Sequence, residues 1–314
     1  MLIAENKTQH FSDTIPNMKT PQLKEESVKN KTVIVTGANS GVGLETAKVL
    51  ASKGANVILA CRDDCKGKQT ESIVGNNSKY FHINLASTNS ITNFVTEITN
   101  RFSEIDLLIN NAGVLHPQYT KTVDGFELTF GVNYLSHFML TLLLINLIKD
   151  NAGSRIVNLT SIAANKPKKI DFNNLNSEHE YNKWRAYEKA NLFRLMFSIE
   201  LNQRLEKRGY SAISVAAHPG ITLTNITRNM NRFIKPMIPI IAPLFMMNAR
   251  QGIAPIIHAA IGDEVNGGEN WGVDGIREMR GHPALAKINP LAFQPELRNK
   301  LWELSAKLSG IDFP

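Results

Sequence analysis

The 314-residue sequence contains only two cysteines, Cys61 and Cys65, in the segment CRDDC. Two cysteines cannot build the multiple disulfides that staple small secreted domains, and no cluster of Cys and His completes a zinc site. We therefore expect two reduced thiols, a reducing compartment and no bound metal.

The chain also lacks the apolar segments that direct proteins into or across membranes. Its N-terminal residues have no apolar stretch after basic ones, the arrangement of a secretory signal. The longest apolar run, FMLTLLLINLI at 138–148, is shorter than the roughly 20 residues that cross a bilayer. These features predict a soluble, cytoplasmic protein.

A one-sided concentration of charge is missing as well. The net charge is +7, which weakly favours anionic ligands. The Lys and Arg residues are scattered, and no basic stripe interleaved with aromatic residues occurs. We therefore expect no nucleic-acid partner.

What the chain does contain is an alternation of apolar runs and segments with helical spacing. Runs that predict strands lie at 32–38, 55–61, 79–85, 105–113, 154–161 and 211–220. Segments that predict helices lie at 42–54, 90–102, 125–149 and 187–207. The strands are continuously apolar, as in a parallel sheet covered on both faces. This predicts an α/β fold, a doubly wound parallel sheet (Rossmann fold), in one domain at 30–314 after a polar arm at 1–29.

The segment TGANSGVG at 36–43 lies between the first predicted strand and the first predicted helix. Gly37 permits a tight turn, Gly41 lets the backbone approach a pyrophosphate, and Gly43 lets the helix pack close to the sheet. The N–H groups at the start of that helix favour an anion. Three glycines alone are weak evidence, but the strand before and the helix after them indicate a dinucleotide-binding loop.

The residues after the second predicted strand indicate which dinucleotide binds. An acidic residue there holds the ribose 2′-hydroxyl of NAD, whereas an arginine accommodates the 2′-phosphate of NADP. Here Arg62 follows the strand directly, Asp63 comes next, and Ser40 in the glycine-rich loop adds a hydroxyl. The sequence favours NADP(H) over NAD(H), with Asp63 as the argument for the alternative.

Five motifs occur in the order and spacing of one enzyme family. They are TGANSGVG at 36–43, INNAG at 109–113, FGVNYLSHF at 130–138, RIVNLTSIA at 155–163 and AAHPGITLTN at 216–225. On these motifs the chain resembles the short-chain dehydrogenase/reductases, especially the retinol-dehydrogenase-like and protochlorophyllide-reductase-like members. The resemblance extends over 28–312, because a C-terminal tail at 267–314 is similar to that of bacterial proteins of this type.

The resemblance implies a hydride-transfer site. Asn133 would hold a water of a proton relay at a local distortion of its helix, Ser161 would hydrogen-bond the substrate carbonyl, and Tyr187 would give or take the proton. The positions implied to contact the cofactor are Gly37, Asn39, Ser40, Gly41, Val42, Gly43, Arg62, Asn84, Leu85, Asn111, Ala112, Gly113, Pro219, Gly220, Thr222 and Thr224.

Two positions depart from the family pattern. Where relatives hold the adenine with Asp, this chain has Asn84, whose amide keeps an acceptor oxygen. Where relatives have lysine one helical turn after the tyrosine, this chain has Asn191. The family lysine lowers the tyrosine pKa, as a nearby cation does by about 1–3 units, and binds the nicotinamide ribose. Asn191 is expected to hydrogen-bond the ribose without supplying the charge.

Two other arrangements in the sequence bring a cation near a tyrosine. A two-residue deletion would place Lys189 in the lysine role, but it would break the match of IEL at 199–201 with relatives. Without a gap, Lys189 lies about 200° round the helix from Tyr187 and points away. Tyr181 with Arg185 is the other tyrosine–cation pair at the right spacing, although it precedes the predicted helix.

Residues 221–249 lie where the family places its substrate lid. Within them RFIKPMIPIIAPLFMM at 232–247 is apolar and interrupted by prolines, and its methionines suit an adaptable apolar wall. The resemblance thus implies an apolar aldehyde or ketone, or the matching alcohol, as substrate. The same stretch also suits contact with a membrane surface or a partner, or a buried connection. In relatives the helices at 125–149 and 187–207 form the dimer faces, although the C-terminal tail of this chain can cover them.

Two hypotheses of function follow. The first is an NADP(H)-dependent oxidoreductase for an apolar carbonyl compound, with an atypical site that lacks the usual lysine. The second is a protein that binds NADP(H) without turning it over. The loss of the lysine at position 191 is the feature that separates them.

Overall fold

The computed structural model describes residues 28–75, 77–222 and 247–314. The predicted arm at 1–29 lies almost entirely outside these residues. So do Thr224, most of the lid segment 221–249, and all of the apolar stretch 232–247 except Met247.

Strands and helices alternate along most of the described chain. The strands are β1 (Thr32–Thr36), β2 (Asn56–Cys61), β3 (Ser78–His82), β4 (Leu107–Asn110), β5 (Arg155–Leu159), β6 (Ile213–Ala217), β7 (Asn270–Val273) and β8 (Pro283–Leu285). The α-helices are α1 (Gly41–Ser52), α2 (Asp64–Val74), α3 (Thr88–Arg101), α4 (Leu128–Phe130), α5 (Ser136–Leu144), α6 (Lys183–Lys207), α7 (Ala249–Gly252), α8 (Ala254–Ile261) and α9 (Pro295–Ser309).

The eight strands form one sheet in the order β3-β2-β1-β4-β5-β6-β7-β8. The pairs from β3 to β7 are parallel, and only β8 runs antiparallel to its neighbour. The order reverses between β1 and β4, as in the doubly wound dinucleotide-binding fold. The predicted fold class is confirmed.

Burial on both faces explains why the strands read as continuous apolar runs. In β1, Ile34 packs into the apolar layer beneath α3, α5 and α6, whereas Val33 and Val35 pack into the layer beneath α1 and α8. Successive side chains of a strand point to opposite faces, so both faces of the sheet need apolar residues.

One long helix was predicted at 125–149, and the structure divides it into four joined segments. A π-helical segment (Gly131–Leu135) separates α4 from α5, and a 3₁₀ turn (Ile145–Leu147) ends it. The whole of Leu128–Leu147 spans 20 residues with mean hydropathy 1.6, so by length and composition it would cross a bilayer. In its most apolar 18-residue window, 89% of the residues are buried inside the fold.

Helix α6 begins at Lys183, four residues before the predicted start at 187. The side chain of Asn182 caps it by accepting hydrogen bonds from the backbone N–H groups of Trp184 and Arg185. Helix α2 was not predicted, because DCKGKQTESIV is mostly polar and contains Gly67.

Candidate active site

A cleft of about 370 Å³ opens at the carboxyl ends of the strands, where the sheet order reverses between β1 and β4. Ligands of open α/β sheets bind in the crevice at this reversal point. The cleft is bounded by the turn after β1, the ends of β2 and β4, and the inner face of α6.

The turn between β1 and α1 depends on its glycines. Gly37 and Gly41 have positive φ angles of 66° and 55°, which L side chains rarely adopt. A Cβ on Gly43 would clash with the side-chain amide nitrogen of Asn111 and with the backbone carbonyl oxygen of Gly37. The close approach of α1 to the sheet therefore requires glycine, and it brings backbone N–H groups to the cleft, where they suit a pyrophosphate.

At the end of β2 the cleft wall carries the charged residues Arg62, Asp63 and Lys66. Arg62 is exposed beside β2, and Lys66 reaches the same wall from α2. The Asp63 carboxylate caps α2, accepting from the Lys66 backbone N–H at 3.0 Å and pairing with its ammonium at 3.0 Å. These contacts lower the pKa of Asp63. Asn84 lies in the same wall and caps a turn by accepting from the Ala86 N–H at 3.1 Å.

Asn133 lies inside the π-helical segment, where the widened turn directs its side chain to the cleft. Its amide donates to the Val114 carbonyl at 2.9 Å and accepts from the Val114 N–H at 2.7 Å. This pair fixes the loop after β4 against the helix. A π-bulge at such a position is characteristic of functional sites.

Beneath Asn133, a buried network joins β1, β4 and α5. The Thr36 hydroxyl accepts from the N–H groups of Asn111 and Ala112 at 2.9 and 3.0 Å. Its own hydrogen is then directed to Nε2 of His137, 3.0 Å away, which leaves the ring proton on Nδ1 to donate to the Asn133 carbonyl at 3.0 Å. Burial, reinforced by the charge of Arg194, lowers the pKa of His137 to about 3.

His137 makes the stability of the fold pH-dependent. In the unfolded chain a histidine titrates near pH 6.5, whereas His137 stays neutral in the fold until about pH 3. The unfolded state therefore binds more protons, and stability falls as the pH drops through this window. Urea unfolding at pH 7.5 and 5.0 should show a loss of about 2 kcal/mol from this group. His137→Gln should reduce that loss, and an unchanged pH dependence would contradict the assignment.

Tyr187 lines the cleft from the first turns of α6 and is half-buried. Arg194, two turns further along the same face, also reaches the cleft and is buried. Its Nη2 donates to the carbonyl oxygens of Asn110 and Ala112 at 2.7 and 2.9 Å. The sequence reasoning missed Arg194; its spacing of seven residues from Tyr187 was the available signal.

The other residues considered for the lysine role do not reach the cleft. The Lys189 ammonium is held by the Asn174 and Leu175 carbonyls, both at 2.8 Å, on the far side of α6. Burial lowers its pKa to about 8. The Tyr181 hydroxyl donates to the His116 carbonyl at 2.9 Å, before α6 begins.

Asn191 lies one turn after Tyr187 on α6. Its side chain is buried, it donates to the Tyr187 carbonyl at 2.8 Å, and its Oδ1 has no hydrogen-bond partner among the described residues. It is absent from the residues that line the cleft. Its contact with a ribose stays a prediction.

The remaining predicted residues divide clearly. Those that line the cleft are Asn133, Tyr187, Gly37, Asn39, Ser40, Gly41, Val42, Gly43, Arg62, Asn84, Leu85, Asn111, Ala112, Gly113, Pro219 and Thr222. Among the described residues, Ser161 and Gly220 do not line the cleft. Each directly follows a residue that does, Thr160 and Pro219 respectively. The Ser161 hydroxyl oxygen accepts from the Ala163 N–H at 3.2 Å.

Known proteins resemble this chain in sequence and in fold. The family model described as short chain dehydrogenase matches residues 31–235. Retinol dehydrogenase 12 of Mus musculus is 35% identical over 291 residues, covering 91% of this chain and 88% of the relative. Retinol dehydrogenase 13 of Homo sapiens is 36% identical over 298 residues, covering 92% and 87%. A crystal structure of an uncharacterized protein from Mycobacterium paratuberculosis has a TM-score of 0.77 at 31% identity, covering 93% of this chain and 98% of that one.

Proposed function

The chain belongs to the short-chain dehydrogenase family and is a retinol-dehydrogenase-like oxidoreductase whose fold binds NAD(P)(H). From that premise we propose that it interconverts an apolar aldehyde or ketone and its alcohol using NADP(H). The observation that carries the proposal is that Tyr187 and Asn133 face the same cleft as the glycine-rich turn. A proton-transferring phenol thus lies beside a pyrophosphate site.

Each residue has a role in this proposal. The turn from Gly37 to Gly43 holds the pyrophosphate, and the bound nicotinamide supplies or accepts the hydride. Tyr187 gives its proton to the carbonyl oxygen during reduction and takes it back during oxidation. The Ser161 oxygen already accepts one hydrogen bond, so its hydrogen can be donated to the substrate oxygen.

The charges beside β2 support NADP(H) over NAD(H). Asp63, the residue that would hold a ribose 2′-hydroxyl, is engaged by Lys66 as a helix cap. Arg62 and Lys66 both line this end of the cleft, where a 2′-phosphate would meet two cations.

Arg62→Ala is expected to lower kcat/KM for NADPH about 10- to 100-fold, because it removes a charge-assisted hydrogen bond worth about 1.5–3 kcal/mol. The value for NADH should change less than about threefold, since NADH has no phosphate there. Lys68→Ala is the matched control, an exposed cation of α2 outside the cleft wall. Equal losses with both cofactors would argue against NADP(H).

The apolar substrate class rests on two supports. The two relatives described above are named retinol dehydrogenases, and the segment 232–247 supplies Ile, Met and Phe next to the last cofactor motif. We propose all-trans-retinal and straight-chain aldehydes as first substrates. Decay of NADPH absorbance at 340 nm with these compounds tests the function directly. Tight NADPH binding without NADPH oxidation by any of these aldehydes would favour the hypothesis of a non-catalytic binder. The replacement of the family lysine by Asn191, which bonds to the Tyr187 carbonyl, is the feature that supports this second hypothesis.

We also propose a cytoplasmic location, peripheral membrane contact through 232–247 and a homodimer, with no nucleic-acid partner. Co-sedimentation with anionic and neutral liposomes tests the membrane contact. Sedimentation equilibrium tests the dimer.

A further inference from the structure

Position 191 leaves the cleft without its usual cation, yet the cleft contains one from another position. Arg194 lies seven residues after Tyr187, or about 700° round the helix, so the two side chains share one face. Long side chains of a helix lean toward its N-terminus. The guanidinium therefore extends back toward Tyr187 and the cleft wall that both residues line.

Contacts to the loop after β4 fix the guanidinium in place. Nη2 donates to the Asn110 and Ala112 carbonyls. A Cβ on Gly113 would lie 3.5 Å from Nη1 of Arg194 and 3.6 Å from Oδ1 of Asn133. The charge thus lies beside Asn133, in the wall of the cleft that Tyr187 also lines.

The charge of Arg194 is not neutralised by a carboxylate among the described residues. Nη2 donates to the neutral carbonyl oxygens of Asn110 and Ala112 and lies 3.4 Å from Nδ1 of the neutral His137, and Nε has no partner among the described residues. Tyr187 and His137 are the titratable groups whose charge state couples to the Arg194 charge. Burial lowers the pKa of Arg194 to about 10, so it remains a cation at neutral pH. A buried cation without a counterion favours an anion nearby.

Neither His137 nor Glu188, titratable groups on α5 and α6, supplies a positive charge. On the α5 side, burial and the guanidinium keep His137 neutral, with a pKa of about 3. On the α6 side, burial raises the pKa of Glu188, against the opposing charges of Lys166 and Arg185. Arg194 is therefore a fixed, buried positive charge in the wall of the cleft that Tyr187 also lines.

We propose that Arg194 replaces the family lysine electrostatically, stabilising the phenolate of Tyr187 from two turns further along α6. This inference rests on the proposed function. During reduction the carbonyl carbon receives the hydride of NADPH, the carbonyl oxygen receives the phenol proton, and Arg194 stabilises the phenolate that remains. Water then returns a proton to Tyr187, so that carbonyl, NADPH and one proton yield alcohol and NADP⁺. Arg194 acts through Tyr187 and is a positioning residue.

The test compares Arg194→Met, Arg194→Lys and Arg194→Met with Asn191→Lys in the full chain. The first removes the charge, the second keeps it, and the third restores the lysine of the family. The first two readouts are kcat for alcohol oxidation as a function of pH and the Kd for NADPH. The third is absorbance at 295 nm as a function of pH, from which the curve of the same variant carrying Tyr187→Phe is subtracted, so that the difference reports Tyr187. The last readout needs no turnover. Arg208→Met, at the exposed end of α6, is the matched control.

For Arg194→Met we expect the pH of half-maximal kcat and the 295 nm midpoint both to rise by about one to three pH units. At pH 7.5 kcat should fall about 10- to 1000-fold. Arg194→Lys, and Asn191→Lys in the Met background, should reverse most of both changes. The Kd for NADPH should stay within about fivefold, since the charge acts on the phenol.

Two results would overturn the inference. One is an unchanged pH profile and 295 nm midpoint in Arg194→Met, with any loss of kcat matched by loss of folded protein. The other applies if Arg194→Met does not fold. It is a folded Asn191→Lys, Arg194→Met variant whose 295 nm midpoint is unlike that of the natural chain. A natural chain that never oxidises NADPH would refute the proposed function alone, because the 295 nm titration would still test Arg194.

Discussion

Replacing Tyr187 with phenylalanine is expected to lower kcat for NADPH-dependent reduction of an apolar aldehyde by about 10²- to 10⁴-fold, the usual contribution of a positioned general acid. The substitution removes one hydroxyl from a half-buried ring at the cleft wall and leaves the glycine-rich turn intact. The Kd for NADPH, measured by fluorescence titration, should therefore change less than about threefold.

Tyr181→Phe provides the control for this experiment. Its hydroxyl donates to the His116 carbonyl outside the cleft, so the loss should appear as about 1 kcal/mol of stability rather than in kcat. If Tyr187→Phe kept kcat near that of the natural chain while Tyr181→Phe lost it, the proton-transferring residue would have been assigned wrongly.

Breaking the buried ion pair between Glu200 and Arg298 is expected to have the largest effect on stability. Glu200 lies on α6, the helix that carries Tyr187, and accepts from Nε of Arg298 on α9 at 3.1 Å and from Arg204 at 3.0 Å. Both Glu200 and Arg298 are at least nine-tenths buried. Glu200→Leu should cost about 3–5 kcal/mol in urea unfolding, because it leaves the Arg298 charge buried without its partner.

A double variant separates the lost pair from the lost packing. In Glu200→Leu with Arg298→Met neither charge remains, so most of the stability should return. Glu303→Leu changes an exposed carboxylate of α9 and should alter stability by less than about 0.5 kcal/mol. A double variant as unstable as Glu200→Leu would show that shape, rather than charge, holds α9 on α6.

The pair also explains how the C-terminal tail supports the site. Trp302 of α9 packs on Phe138 of α5 and Phe197 of α6, with ring centroids 5.0 and 5.8 Å apart, and Arg204 lies 4.1 Å above the same indole. The helices that carry Asn133 and Tyr187 are therefore held together from behind by α9. The sequence showed only that the tail resembled that of relatives.

The sequence was most informative where local patterns determine structure. The apolar runs identified the six strands from β1 to β6, because both faces of a parallel sheet must be apolar. The glycine spacing identified the turn at Gly37–Gly43, because only glycine tolerates its φ angles and its close approach to Asn111.

It was least informative where distant residues decide the outcome. The cap that engages Asp63 depends on Lys66 folding back in a polar helix with no apolar stripe. Whether Asn191 or Arg194 reaches the cleft depends on side-chain length and on carbonyl oxygens at the end of β4, about 80 residues earlier in the chain. Motif matching compared position 191 with relatives and did not consider the next turn.

A single-turnover experiment tests the central claim most directly. The natural chain is saturated with NADPH, mixed rapidly with all-trans-retinal or a straight-chain aldehyde at pH 7.5, and followed at 340 nm. We expect oxidation of one equivalent of NADPH per site and formation of the alcohol. A chain that binds NADPH tightly and oxidises none of it with any aldehyde or ketone tested would contradict the claim that this cleft catalyses hydride transfer.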